Sequence, residues 1–276
     1  MSELLRDYAA RAGFTGAFAP GLDVLRALQW RHTHAIAFES LDPFLARPVP
    51  IDPASVRAKL LHRRRGGYCH EHNLLFHDVL AEIGFRVTPL GGRVVWARAD
   101  GVAPLTHRLT LVDLPEGRFI ADVGFGGQTP TMPLRLQPGL EQPTPHGHYR
   151  VGQDGDDFTL ELRLRERWAA LYRFRLDRQH PVDFEMANWY TSTFPRGRFT
   201  QNLICARVTG TGRVNLANRV LSMRDGDGGA STRMLGTAAE LAETLEGLFG
   251  LEIPVPAAQL WDRVLAAPAD ARSGPE

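Results

Sequence analysis

Cysteine is nearly absent from this chain: only Cys69 and Cys205 occur in 276 residues. Two thiols are too few to staple a small secreted domain, so a reducing compartment and free thiols are expected. An excess of one charge is also missing. Lys and Arg total 32 against 31 Asp and Glu, a formal net charge of +1. Proteins that bind nucleic acid or lie on membrane surfaces need a basic excess to meet phosphates, so neither partner is expected. Nowhere do about 18 consecutive apolar residues occur, so no membrane helix is expected. Glu3, Arg6 and Asp7 interrupt the first residues, which do not read as a signal peptide. There is no internal repeat and no low-complexity tract. A cytoplasmic enzyme or binding protein fits best. Hydrophobic residues make up 43% and charged residues 23%, ordinary globular values, and the length allows one large domain or two to three small ones.

The first 85 residues read mostly as helix. Leu4, Leu5, Tyr8, Ala9 and Ala12 follow helical spacing before Gly13, and Leu22, Val24, Leu25 and Leu28 do so through about His34. Pro53 opens a third helix that the Gly66-Gly67 pair stops. A fourth runs from about Cys69 to Ile83, with Leu75, Phe76, Val79, Leu80 and Ile83 as its apolar stripe and Gly84 as its stop. After Gly84 the pattern changes. Short β-forming runs at 85–90, 92–97, 106–112 and 118–124, separated by turn residues, predict an antiparallel sheet or barrel. Five prolines between Pro130 and Gly147 predict a long irregular connection. Strands resume at 149–151, 158–164 and 168–176, and 184–190 looks helical. Strands at 203–208, 214–217 and 219–223, a turn at 225–229, and an amphipathic helix at 238–249 complete a mixed last third. The class is α+β, in three parts: 1–85, 86–200 and 201–276.

Cys69 falls in Arg65-Gly66-Gly67-Tyr68-Cys69-His70-Glu71-His72-Asn73, at the start of a predicted helix. Free N–H groups and the helix dipole there favour an anion, and hence a thiolate. A small buried hydrophobe is the other reading of such a residue. Cys205, inside Leu203-Ile-Cys-Ala, reads as strand packing. A nucleophile needs a base, and the base an orienting acceptor. His107 shares a strand face with Leu109 and Leu111, and the strand turns at Pro115-Glu116-Gly117. A two-residue loop at 115–116 places residue 107 opposite residue 124. Asp122 is then a diagonal neighbour on the same face. A loop one residue longer reverses the parity and separates the two side chains.

These residues resemble the arylamine N-acetyltransferase family. The likeness rests on Arg65-Gly-Gly-Tyr-Cys69-His-Glu-His-Asn, Thr106-His107-Arg-Leu and Ala121-Asp122-Val-Gly-Phe-Gly-Gly, with support from Ile36-Ala-Phe38-Glu39-Ser-Leu-Asp and Asn188-Trp-Tyr-Thr-Ser-Thr. It covers most of the chain in order. It implies an N-terminal helical bundle, a central antiparallel β-barrel and a C-terminal α/β lid. It implies Cys69 as nucleophile, His107 as base and Asp122 as orienter, in a ping-pong transfer from acetyl-coenzyme A to an aromatic amine, N-hydroxyarylamine or hydrazine. No cofactor is permanently bound; acetyl-coenzyme A is a substrate. The resemblance places Phe38, Phe125 and Phe199 at the substrate cleft, although each also reads as a core aromatic. It makes Gly126, Gly127, Thr129 and Trp96 walls of the coenzyme A site, where spacing alone reads 124–130 as a Gly-rich turn. A homodimer stays open. Two departures stand out: His70 replaces a usual aromatic, and Ser40 a usual Asn. His70 puts the charge beside the thiol in question.

Arg65 and Glu39 read as architectural, a buried Arg wanting a carboxylate from Glu39 or Glu71. Three competing readings remain. The same triad would serve a relative that carries another acyl group, such as malonyl, or closes amide bonds in polyketide products. It would also serve a cysteine hydrolase. Zinc on Cys69, His70, Glu71, His72 and His77 is disfavoured, because His70 and His72 lie about 200° apart on a helix and no His-Glu-x-x-His occurs. No metal site is expected.

Overall fold

The computed structural model of the chain describes residues 1–96, 101–210, 212–225 and 229–268. Helices α1 (Glu3–Ala12), α2 (Leu22–Ala35), α4 (Pro53–Arg57) and α5 (Cys69–Ile83) lie at the expected positions. Between them stand two elements that periodicity does not reveal, β1 (Phe38–Glu39) and α3 (Leu41–Phe44), each too short to show a period. Apolar faces of the long helices meet in one core, where Leu4, Tyr8, Leu25, Leu28, Leu75, Phe76 and Val79 are buried together. Gly84 ends α5 in the left-handed conformation at φ +100°, so the chain reverses directly into the first long strand.

That strand, β2 (Arg86–Val94), is a single element where two were expected. Gly91-Gly92 does not break it. Instead the register shifts beside Gly92 against both neighbouring strands, as a bulge. It joins β3 (Leu105–Leu114), β4 (Gly117–Ala121), β5 (Leu134–Arg135), β6 (Glu141–Thr144), β7 (Gly147–Asp154), β8 (Asp157–Leu164) and β9 (Arg167–Arg178) in an antiparallel sheet of order β5-β4-β3-β2-β9-β8-β7-β6. The proline-rich stretch thus supplies β5 and β6, the two edges, where proline's missing N–H does least harm. The edges meet through Gln142, whose side chain accepts from the Arg135 amide at 2.7 Å and donates to its carbonyl at 3.0 Å. The sheet is a nearly closed barrel around Leu90, Leu109, Leu111, Tyr149, Leu160, Leu171 and Tyr172. Strand β3 is buried on both faces: Leu109 and Leu111 face that interior while Val112 joins the helical core.

Helix α6 (Pro181–Thr193) follows, longer than expected at both ends, and then the short α7 (Arg198–Gln201). The last part carries β10 (Ile204–Val208), β11 (Arg213–Ala217), β12 (Val220–Arg224), β13 (Ala230–Met234), α8 (Ala238–Glu243) and α9 (Ala257–Leu265). The expected turn at 225–229 falls on residues 226–228, outside the described residues. Strand β1 from the N-terminal part pairs with β10, Phe38 opposite Ala206 and Glu39 opposite Cys205. Ala37, Leu41 and Phe44 share a core with Leu203, Leu216, Leu241 and Leu260. Strand β13 is exposed along its length and α9 lies beyond the last obvious period, so neither was foreseen. Among the described residues, no helix is long and apolar enough to cross a membrane.

Candidate active site

Cys69 is the first residue of α5 and is almost buried, 6% exposed. A buried charge cluster holds the loop that delivers it. Arg65 bonds Glu39 at 2.7 Å and Asp42 at 2.9 Å, and Lys59 bonds Asp42 and Glu71, each at 2.7 Å. Glu71 also accepts from the Tyr68 amide at 3.1 Å and so caps α5 one residue before the thiol. Arg65 therefore takes Glu39 and Asp42 as partners, not Glu71, and the expected architectural role of Arg65 and Glu39 extends to Lys59 and Asp42. Tyr68 is tied to α6, its hydroxyl donating to Asn188, whose amide donates to the Val49 carbonyl at 2.9 Å.

The hairpin of β3 and β4 turns through two residues. Leu114 pairs with Gly117, Leu111 with Ile120 and Thr110 with Ala121. This is the register that puts His107 and Asp122 on one face, and their side chains meet: Nε2 to Oδ2 is 2.7 Å, with both residues buried. The Cys69 thiol donates to the carbonyl of Thr106, the residue before His107, at 3.6 Å. Asp122 is fully satisfied. Its Oδ1 accepts from the Asn73 side chain and from the Gly124 amide, each at 2.9 Å. Asn73 spans the site, since its own oxygen accepts from the Val123 amide and its nitrogen also donates to the Arg108 carbonyl. Sequence reasoning left Asn73 without a role, although its position four residues after Cys69 puts it on the same helix face. It also left out Tyr172, whose ring covers His107 at 4.8 Å between centroids, and Gln29, which donates to the Asp122 carbonyl.

Burial works against a charge on His107, but Asp122 and then Cys69 override it, and the imidazole is raised to about 10. Burial likewise opposes the Asp122 carboxylate, which His107, Asn73 and Gly124 hold below the usual carboxylate range. His70 behaves differently. It is wholly buried between Tyr68 and Phe184, and burial, with Arg108 and His107 nearby, lowers it to about 3. It is neutral at ordinary pH and adds no charge beside the thiol. The other departure, Ser40, accepts from the Ile204 amide and donates to the Asn202 carbonyl, pinning the segment before α3 to β10.

Phe125 stands edge-on to His107 at 5.4 Å and is half-buried. Phe199 is half-buried against Tyr68 and Phe38, while Phe38 itself is 7% exposed. Gly126 has φ +87° and faces the Phe38 ring; Gly127 faces Asn215. The Thr129 hydroxyl donates to the Gly126 carbonyl at 2.8 Å, so Thr129 closes the Gly-rich turn. Trp96 is half-buried against the barrel core. His70 and His72 point apart, His70 toward Phe184 and His72 toward His32.

The fold is found in known proteins. The N-acetyltransferase family pattern matches residues 21–258. An arylamine N-acetyltransferase of Escherichia coli K12 is 41% identical over 254 residues, 92% of this chain and 90% of that protein. The chain belongs to the arylamine N-acetyltransferase family. The arylamine N-acetyltransferase of Mycobacterium tuberculosis H37Rv is 42% identical, covering 90% of this chain and 89% of its own. The solved arylamine N-acetyltransferase of Mycobacterium marinum in complex with CoA superposes with a TM-score of 0.92 at 40% identity, covering 95% of this chain and 99% of its own. The bundle, barrel and α/β part read from this chain are those of the family.

Proposed function

We propose that this arylamine N-acetyltransferase works through an acetyl-Cys69 intermediate, with His107 as base and Asp122 as orienter. The observation that carries the reading is the 2.7 Å His107–Asp122 contact, with Cys69 at the start of α5 and its thiol on the carbonyl of Thr106, the residue before His107. The imidazolium, held by Asp122, keeps Cys69 as thiolate. The thiolate sulfur attacks the thioester carbonyl of acetyl-coenzyme A, and coenzyme A leaves as its thiol, taking the imidazolium proton and leaving His107 neutral. An amine nitrogen then attacks the acetyl carbon; His107 takes its proton, and the Cys69 sulfur departs. Aromatic amines, N-hydroxyarylamines and hydrazines suit this step because they are unprotonated at neutral pH, whereas alkylamines are protonated.

Phe125, Phe199 and the buried Phe38 form the apolar wall for the aromatic ring. The Gly126-Gly127 turn with Thr129 forms the coenzyme A side, and Trp96 lines its outer end. With a net charge of +1, affinity for the phosphates comes from local backbone donors and a few side chains. The two free thiols fit a reducing, cytoplasmic setting. The test is coenzyme A release across a panel of acyl donors and arylamine acceptors. Acetyl-coenzyme A with an arylamine is the preferred pair in this reading. Cys69→Ser abolishes release and Cys205→Ala leaves it nearly intact. Equal losses in the two variants refute the choice of thiol.

A further inference from the structure

Behind the triad, three buried side chains form a hydrogen-bonded line that the mechanism does not use. The Tyr8 hydroxyl lies 3.1 Å from His32 Nδ1, His32 Nε2 lies 2.9 Å from His72 Nδ1, and His72 Nε2 lies 3.2 Å from the Ala37 carbonyl. All three residues are essentially inaccessible. The direction of the line follows from its last acceptor. A carbonyl only accepts, so His72 carries its proton on Nε2. With His72 neutral, its Nδ1 accepts, and His32 must donate from Nε2. His32 Nδ1 then accepts from Tyr8. Burial supports neutrality at both rings, holding His32 well below its usual value and His72 at about 4.

His72 stands one helical turn after Cys69, on the same side of α5. Its ring lies parallel to that of Phe38, 6.4 Å between centroids and 12° between planes, and its bond to Ala37 fixes the residue preceding Phe38. On its other side stands Gly124, where an added methyl group would lie 3.1 Å from the His72 Cβ. We infer that His72, aligned by His32 and Tyr8, is a positioning residue that holds Phe38 at a set depth relative to Cys69 and thereby sets how the aromatic acceptor fits. This rests on the proposed place of Phe38 in the acceptor wall. The acetyl group is small and the thiolate is held by His107, so the first half-reaction is insensitive to this depth. The second half-reaction, which must seat an aromatic ring, is sensitive to it.

The test compares both half-reactions in purified enzyme. His72→Phe keeps a flat ring against Phe38 and removes both hydrogen bonds; its arylamine KM rises about fivefold, while formation of the acetyl-enzyme from acetyl-coenzyme A stays within about twofold of wild type. His72→Gln restores a donor to the Ala37 carbonyl and recovers most of the KM. Phe38→Leu raises the same KM. An unchanged KM in Phe38→Leu shows instead that Phe38 is not the wall, and the inference falls with that reading. A raised KM in Phe38→Leu with a wild-type KM in His72→Phe overturns the positioning role alone. Equal slowing of both half-reactions in His72→Phe also overturns it. The wild-type protein gives a readout that needs no variant to fold: imidazole ¹⁵N correlation spectra at neutral pH show His32 and His72 both as neutral Nε2–H tautomers. An Nδ1–H tautomer at His72 breaks the line and refutes the proposal.

Discussion

Gly124 approaches Cys69 so closely that a methyl group on its Cα would lie 2.9 Å from the Cys69 Cα. The segment carrying Asp122 therefore rests directly on the first turn of α5, and the triad is assembled by this contact between backbones. Gly124→Ala forces the segment away from the helix. It lowers kcat/KM at least tenfold and destabilises the fold by about 1–3 kcal/mol. Acetyl-transfer kinetics and urea unfolding measure both effects; a variant with normal kinetics contradicts this view of how the site is held.

Asp122→Asn removes the acceptor that keeps His107 charged and oriented. The variant loses about 10³-fold or more in kcat/KM. Its stability has a defined pH dependence. His107 is raised to about 10 from an unfolded value of about 6.5, so its stabilisation is complete below about pH 6.5 and is lost as pH rises toward 10. Asp122 is held low, so its stabilisation is present above about pH 4 and is lost on acidification. The stability gap between wild type and variant is widest between about pH 4 and 6.5 and narrows as pH approaches 10. Urea unfolding across about pH 5 to 10 checks the sign; a gap that widens with pH refutes it.

Arg65→Met removes the close cationic partner of Glu39, which keeps only Lys59 at 3.9 Å, and leaves Asp42 with Lys59 as its remaining buried partner. Removing one member of a buried ion pair costs about 3–5 kcal/mol. Activity at low temperature falls with the fraction folded, because Arg65 holds the loop and does no chemistry. Chemical denaturation beside a coenzyme A release assay separates the two. Full stability in Arg65→Met contradicts the architectural role.

His70→Phe replaces a neutral, buried imidazole with a ring of similar size. The pH dependence of acetyl-enzyme formation is unchanged, since no charge is removed. A shift of the profile by about one unit or more would show that His70 is charged beside the thiol.

The placement of Cys69, His107 and Asp122 was partly readable because part of it depends on local rules. The helix start at Cys69 follows from the Gly66-Gly67 stop before it and the apolar stripe after it, whereas the parity of His107 and Asp122 depends on a loop length that the sequence leaves open and the structure gives as two residues. What stayed hidden depends on contacts between distant segments. Lys59 and Asp42 look like ordinary surface charges until the fold brings them to Arg65 and Glu71. Phe38 is a strand residue only because β10 lies beside it. The prolines at 130–145 suggested an irregular path, yet two short edge strands tolerate them. Tyr8 reads as helix core and His32 lies within the second predicted helix, and nothing local says that they line up with His72.

The central claim is that acetyl transfer passes through Cys69. Incubating the protein with acetyl-coenzyme A and no acceptor, then measuring intact mass and mapping peptides, tests it most directly. The account predicts one acetyl group, on the peptide containing Cys69, removed when an arylamine is added. No adduct under conditions of full turnover, or an adduct on Cys205, would contradict it.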